Sequence, residues 1–370
     1  MRAVAQHPLD LVSRAPRTCV WEITGACNLR CVHCENRSGD AHPRELSLER
    51  MLEVAEELRQ LGCRMVDLTG GEPLMRRGWQ RLARRLRELG LRVALVSNGL
   101  LLDDDALSEA VDAGVELFSI SVDGLQPVHD RTRVWPRARA GAPSPFELAM
   151  AAVDRVAGRL PLRVITQINR QNVHQLRELW ELLCAHGVDR WQLQLAVPEG
   201  RALDHDEPYV IDPRELLGIA DFVVETRGSG RAPFIDISNT LGYFSGHELA
   251  LRTRTTGPGL WLGCQGGIRS VAITYAGKVR GCSAMPAAFD AGDLHTESLA
   301  RIWGDAERFA FSTRFDPALL TGACARCEAG AICRAGCTAM AYCVGGSIYE
   351  NRHCLRLVEP PTAPDARAET

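Results

Sequence analysis

No run of the 370 residues is apolar over the length that a bilayer span requires. The N-terminal stretch "MRAVAQHPLDLVSRAPRT" has no hydrophobic centre, so it does not read as a secretory signal. Charge of one sign is also missing: 43 basic against 46 acidic residues leave a net charge of −3, which excludes a polyelectrolyte surface for nucleic acid or membrane. Low-complexity segments are absent, and 46% hydrophobic with 24% charged residues is the composition of a globular protein. These absences point to a cytoplasmic chain with no nucleic acid and no membrane among its partners. What is abundant is cysteine, 14 in all. In a reducing compartment, clustered cysteines bind metal or do redox chemistry rather than form disulfides. Ten fall into regular groups; Cys19, Cys63, Cys184 and Cys343 stand apart and read as small core residues.

Short β-rich runs at 18–24, 64–69, 92–97, 115–121, 162–168 and 190–196 alternate with amphipathic stretches at 48–61, 78–89, 104–113, 145–157 and 173–186. Such alternation specifies an α/β fold with a parallel sheet and right-handed crossovers. Six units are too few for a closed eight-stranded barrel, so a partial (β/α)6 TIM-like barrel is expected, its site at the C-terminal strand ends. The expected boundaries are an N-terminal extension (1–17), the barrel (18–235), a bridge (236–260), a cysteine-rich module (261–355) and a loose tail (356–370). The module has short segments, many glycines and seven spaced cysteines, so bound metal should help to hold it together. In "RWQLQLA" (190–196), Gln192 and Gln194 share one strand face, polar where a barrel interior is expected.

The stretch "TGACNLRCVHCEN" (24–36) puts Cys27, Cys31 and Cys34 directly after the first strand. Three thiolates can hold three irons of a [4Fe–4S] cube and leave the fourth open. A structural zinc needs four donors, and His33, between two of the cysteines, is poorly placed to close that tetrahedron.

"CNLRCVHC" resembles the cluster motif of radical S-adenosylmethionine (radical SAM) enzymes, in which the open iron chelates S-adenosylmethionine. His33 departs from the aromatic residue many members place against the adenine, though its ring could fill that role. "TGGEP" (69–73) resembles the family's glycine-rich cofactor segment: Gly70 and Gly71 permit close backbone approach, Glu72 could accept from the cofactor's ammonium, and Pro73 completes the motif. Alone, this stretch would read rather as a tight strand-to-helix turn. "SNG" (97–99, with Asn98) and "SVDG" (121–124, with Ser121 and Asp123) match family positions for the ribose and carboxylate. In "HDRTR" (129–133), Arg133 is a candidate carboxylate partner or a solvated loop charge.

The second array runs Cys264, Gly277 and Cys282, then Cys324-x2-Cys327-x5-Cys333-x3-Cys337, then Cys354. It is similar to the seven-cysteine pattern of the SPASM domain, which holds two auxiliary [4Fe–4S] clusters. The resemblance implies one cluster on Cys324, Cys327, Cys333 and Cys354 and another on Cys264, Cys282 and Cys337. The latter has an open iron or is completed by Cys343. A zinc ribbon over 324–337 would leave the rest of the array unexplained.

The resemblance implies an enzyme that cleaves S-adenosylmethionine reductively and uses three [4Fe–4S] clusters and an external electron donor of flavodoxin or ferredoxin type. No catalytic side chain is assigned. The first expectation is a maturase of a ribosomally made peptide or small protein, forming a C–C or thioether cross-link or a related change. With about 17 residues before the first strand, leader recognition would need a separate binding protein or other surfaces of this one. Ser283, where formylglycine-forming members carry an acid, argues against that reaction. The alternatives are side-chain modification of a tetrapyrrole, as in haem-type biosynthesis, or a non-catalytic iron–sulfur scaffold or electron carrier.

Overall fold

The computed structural model describes residues 7–359 except 137, 139–140, 205–208 and 255–258. Residues 1–6 of the N-terminal extension, 360–370 of the tail, most of the acidic stretch 204–207 and part of the basic stretch 131–140 lie outside the described residues.

Seven parallel strands follow in sequence order: β1 (Thr18–Glu22), β2 (Met65–Thr69), β3 (Arg92–Ser97), β4 (Leu117–Ser121), β5 (Leu162–Ile168), β6 (Arg190–Leu195) and β7 (Phe234–Ile237). Their helices are α1 (Leu48–Gln60), α2 (Trp79–Glu88), α3 (Asp104–Asp112), α4 (Gln126–Thr132), α5 (Pro145–Val156), α6 (Leu176–Ala185) and α7 (Glu215–Gly228). The sheet stays open: β8 (Ser270–Ile273) pairs parallel with β1, and β9 (Lys278–Arg280) and β10 (Gly292–Asp293) extend that edge antiparallel. The cysteine-rich module is therefore built onto the barrel's first strand.

Three of these helices start where a side chain satisfies a free N–H group. Ser47 accepts from Arg50 N, Asp103 from Ala106 N, and Ser144 with Glu147 forms a reciprocal capping box. The Arg-rich stretch of α2 is a solvated face. Trp79, Leu82, Ala83 and Leu86 recur at helical spacing and are buried against the sheet, while the arginines turn outward. One continuous apolar core fills the space between sheet and helices, with Trp21, Phe118 and Trp191 wholly enclosed.

Two elements differ from the sequence reading. The strand β7 was expected as bridge, and the expected boundary at 235 falls inside it; four residues, "FIDI", give too short an alternation to announce a strand. The "HDRTR" segment lies on α4 and its C-cap rather than on a loop, its start favoured by Pro127 in the first turn. Among the described residues no helix is long and apolar enough to cross a membrane.

Candidate functional site

The three N-terminal cysteines lie on a loop leaving β1, and neighbouring backbone holds that loop on every side. Cys27 N donates to Gly39 O (2.8 Å), Val32 N to Thr132 O (2.9 Å), and Arg201 N to Cys34 O (3.0 Å). Arg201 also reaches the carbonyls of Cys31 (3.3 Å) and Ser38. On the inner side, Gly71 N donates to Thr24 O and Glu72 N to Ala26 O, both at 2.7 Å. A Cβ at Gly70 or Gly71 would fall well inside contact with the carbonyls of Thr24 and Ala26. Those glycines are thus required first by the protein's own backbone, the segment after β2 being zipped against the cysteine loop.

Cys27, Cys31 and Cys34 open into a cavity of about 350 Å³ whose wall includes His33, Gly70, Gly71, Asn98, Ser121 and Arg133. Six of the nine sequence-predicted cofactor positions therefore share the thiols' cavity. Glu72, Pro73 and Asp123 do not line it. Fully buried, Glu72 accepts from Ser97 Oγ and Asn98 N (2.8 Å each) and from Leu74 N (3.3 Å). Burial pushes its pKa up to about 7. Three of the carboxylate's four acceptor positions are used within the protein, and one of them holds Asn98 in place. Asn98 Nδ2 in turn donates to Asn28 Oδ1 (2.7 Å) and lies 3.9 Å from Cys27 Sγ. Pro73 is buried at the start of a short 3-10 turn.

Asp123, also fully buried, holds Arg133: Arg133 Nε donates to Asp123 Oδ2 at 2.7 Å, leaving the guanidinium to face the cavity. Asp123 Oδ1 accepts from Gln167 N at 2.9 Å. Burial alone would raise the Asp123 pKa, but Arg133 and the neighbouring histidines hold it below the usual carboxylate range. Burial would lower Arg133, but Asp123 and Cys31 more than offset that and raise it. His33 is kept neutral, its pKa pushed down to about 4 by burial, and its ring stacks on Tyr209 (6.1 Å between centroids, 11° between planes). The His33 Nδ1 and Ser38 Oγ atoms are buried on this wall without a hydrogen-bond partner. Burial lifts Cys27 to about 11 and Cys31 to about 12, so thiols here lose their protons when a metal takes them.

A second cavity, of about 280 Å³, is lined by Cys324, Cys327, Cys333 and Cys354 together. Asn351 N donates to Cys324 Sγ (3.5 Å), and Asn351 Nδ2 is buried there without a partner. Four thiols around one hollow, with amide donors aimed inward, fit a four-thiolate iron–sulfur cluster. Cys264, Cys282 and Cys337 form the third group. After burial, the main influence raising Cys337 is Cys264, followed by Cys282, so the three lie within electrostatic reach of one another. Burial raises the Cys343 thiol, as do Glu199 and Glu35, and Glu35 also bears on Cys282. Cys19 and Cys63 are buried in the core, while Cys184 and Cys343 are half-buried.

Sequence reasoning missed Glu22, Glu35, Arg163 and Gln167 on the cavity wall. Gln192 and Gln194 line it too, as their shared strand face indicated.

Comparison with known proteins agrees with this geometry. The profile of the radical SAM superfamily matches residues 21–183, and that of the SPASM iron–sulfur cluster-binding domain matches residues 264–328. The "AdoMet-dependent heme synthase" of Methanosarcina barkeri is 30% identical over 356 residues, covering 93% of this chain and 97% of that protein. The mycofactocin maturase MftC of Mycolicibacterium smegmatis is 26% identical, covering 90% and 80%. Among solved structures, anSMEcpe with bound AdoMet and a peptide superimposes with a TM-score of 0.67 at 14% identity, covering 91% and 92%, a likeness of fold.

Proposed function

The chain belongs to the radical SAM superfamily and is a radical SAM enzyme with a SPASM domain; from that premise we propose that its substrate is a tetrapyrrole, one of whose side chains it modifies. The observation that carries this reading is the near end-to-end likeness to a haem synthase, 97% of whose length is matched. It displaces the peptide maturase from first place. MftC supports a peptide substrate as a second reading, at lower identity and with 80% of its length matched.

On this reading Cys27, Cys31 and Cys34 hold the [4Fe–4S] cluster that binds S-adenosylmethionine. Cys324, Cys327, Cys333 and Cys354 hold one auxiliary cluster; Cys264, Cys282 and Cys337 hold the other. When bound, the first cluster supplies an electron that splits S-adenosylmethionine, giving a 5′-deoxyadenosyl radical that removes a hydrogen atom from the substrate. The protein's own residues orient and enclose. Arg133, fixed by Asp123, offers its free guanidinium edge to the cofactor carboxylate. The unpartnered Nδ1 of His33 is available to an adenine, and Asn98, set by Glu72, borders both cofactor and cluster. A flavodoxin- or ferredoxin-type donor in the cytoplasm would supply electrons.

The test is anaerobic reconstitution with iron and sulfide, then incubation with S-adenosylmethionine, a low-potential reductant and a panel of iron tetrapyrroles bearing propionate side chains. The expected result is 5′-deoxyadenosine formed together with a mass change on one macrocycle. Turnover of a peptide and of no tetrapyrrole would reverse the assignment, and no 5′-deoxyadenosine under any condition would restore the scaffold reading.

A further inference from the structure

At the end of β5, Gln167 lines the cysteine cavity and is 4% exposed, and its buried Oε1 has no hydrogen-bond partner. Every other polar atom of the residue is held. Its N donates to Asp123 Oδ1 (2.9 Å), its carbonyl accepts from Asn169 Nδ2 (3.1 Å) and Asn172 Nδ2 (2.8 Å), and its Nε2 donates to Glu35 Oε1 (3.3 Å). The last contact fixes which way the amide points. A buried acceptor without a donor costs about 1–3 kcal/mol, so the arrangement is set for a donor from elsewhere.

Its lateral neighbour in the sheet is Gln194, whose side chain leaves the same face of a strand about 4.8 Å away. Gln194 Oε1 accepts from Gln192 Nε2 (3.3 Å), and this orients the Gln194 amide so that its Nε2 is the free end. No partner for that Nε2 occurs among the described residues, and Gln194 also lines the cavity. An acceptor fixed by Glu35 and an amide with an unpartnered donor thus stand side by side on the barrel's inner wall.

Charge decides what they can take. Of the arginines on this wall, Arg133 is engaged by Asp123, Arg163 by Ser119 Oγ (2.9 Å) and Asp67 (3.3 Å), and Arg201 by two backbone carbonyls. Glu22 and Glu35 line the same space. A carboxylate here would set another acceptor against Gln167 Oε1, beside Glu35, whereas a neutral group carrying one donor and one acceptor matches both amides.

We propose that Gln167 and Gln194 form a recognition pair for a substrate carboxyl group held in its protonated form, its O–H donating to Gln167 Oε1 and its C=O accepting from Gln194 Nε2. The pair would place one acidic side chain of the macrocycle inside the barrel and so select which side chain is modified. This inference rests on the tetrapyrrole reading above.

The test is calorimetric titration of the anaerobically reconstituted enzyme, with S-adenosylmethionine present, using a propionate-bearing tetrapyrrole, its amide and its methyl ester. The acid takes one proton from solvent on binding, so its affinity should rise about tenfold for each pH unit lowered between pH 8 and 6, whereas the amide, which keeps a donor and an acceptor and needs no proton, should bind more tightly than the acid and without pH dependence. The ester has no donor and should bind about tenfold more weakly than the amide, the worth of one buried hydrogen bond. Gln167→Leu should weaken the acid by the same factor and leave the ester unchanged. Gln194→Leu, with its amide outside the Asp123 network, gives an independent measure should Gln167→Leu fail to load iron. Acid binding that is equal in wild type and both variants, acid affinity that does not change with pH, or ester binding as tight as amide overturns the pair but leaves the tetrapyrrole reading standing. A wild-type enzyme that binds none of the three overturns both.

Discussion

Arg133 and Asp123 form an ion pair of 2.7 Å in which the carboxylate is wholly buried and the guanidinium nearly so, one edge remaining open to the cavity. The pair ties the end of β4 to the C-cap of α4, two elements that meet above the cysteine loop. Removing one partner strands the other as an uncompensated buried charge. Asp123→Ala is expected to cost about 3–5 kcal/mol in denaturant unfolding. The double variant with Arg133→Ala should cost less than the sum of the two single changes, by about 1–3 kcal/mol. Strict additivity would mean that the two side chains act independently.

Gly71 gives a contrast between two glycine substitutions. Its missing Cβ is the space taken by the Ala26 carbonyl, backbone against backbone, which cannot swing aside. Gly71→Ala should lose several kcal/mol, about 2–4 by analogy with overpacked cores, and load less iron because the cysteine loop is pushed outward. Gly90, unlike Gly71, has a positive φ (+77°) but open space around it, so Gly90→Ala should cost only about 1 kcal/mol from backbone strain. Thermal unfolding and iron content measured on both variants separate the two cases.

His129 predicts a pH dependence whose sign can be worked out. Its Nδ1 accepts from Asp123 N at 3.2 Å, its Nε2 is buried without a partner, and its pKa is pushed down from 6.5 to about 3, first by burial and then by Arg133. The folded-state value lies below the unfolded one. Between these limits the unfolded chain binds the extra proton, so this group's stabilisation is complete above pH 6.5 and drains away towards pH 3. The stability advantage of wild type over His129→Gln should therefore shrink steadily as pH falls from 7 to 4. An advantage that stays constant over that range would refute the buried neutral imidazole.

Glu72 marks where sequence reasoning reached its limit. A glycine pair after a strand followed by a carboxylate reads as a cofactor contact, because nothing local reveals where the carboxylate points. The groups that consume it, Ser97 and Asn98, come from the end of β3, and only the parallel register brings them alongside. The cysteine groups were legible because metal binding demands short, fixed spacings within a few residues. Gln192 and Gln194 were legible because a strand's alternation places them on one face. Gln167 was not, since the burial that leaves its Oε1 unpartnered depends on Glu35 and Asp123, far away in the chain. The pairing of β8 with β1 joins segments some 250 residues apart, beyond any local pattern. If Glu72 acts by positioning, Glu72→Gln, which keeps the shape and one acceptor, should bind S-adenosylmethionine within about threefold of wild type. A direct contact with the ammonium would cost about tenfold or more.

The C-terminal cysteines lend themselves to counting iron. Cys354 comes late in the chain and closes the cavity formed by Cys324, Cys327 and Cys333, so Cys354→Ser removes one of four thiolates from that hollow. The expected outcome is a loss of up to about four irons per chain, with lower thermal stability, because little apolar core surrounds that module and bound metal contributes folding energy. Cys343 packs against the apolar core, so Cys343→Ser should leave iron content and the visible spectrum unchanged. Iron loss in Cys343→Ser comparable to that in Cys282→Ser would instead make Cys343 the fourth ligand of the cluster on Cys264, Cys282 and Cys337, and would require the helix Thr338–Gly345 to turn its thiol towards that group once metal is present.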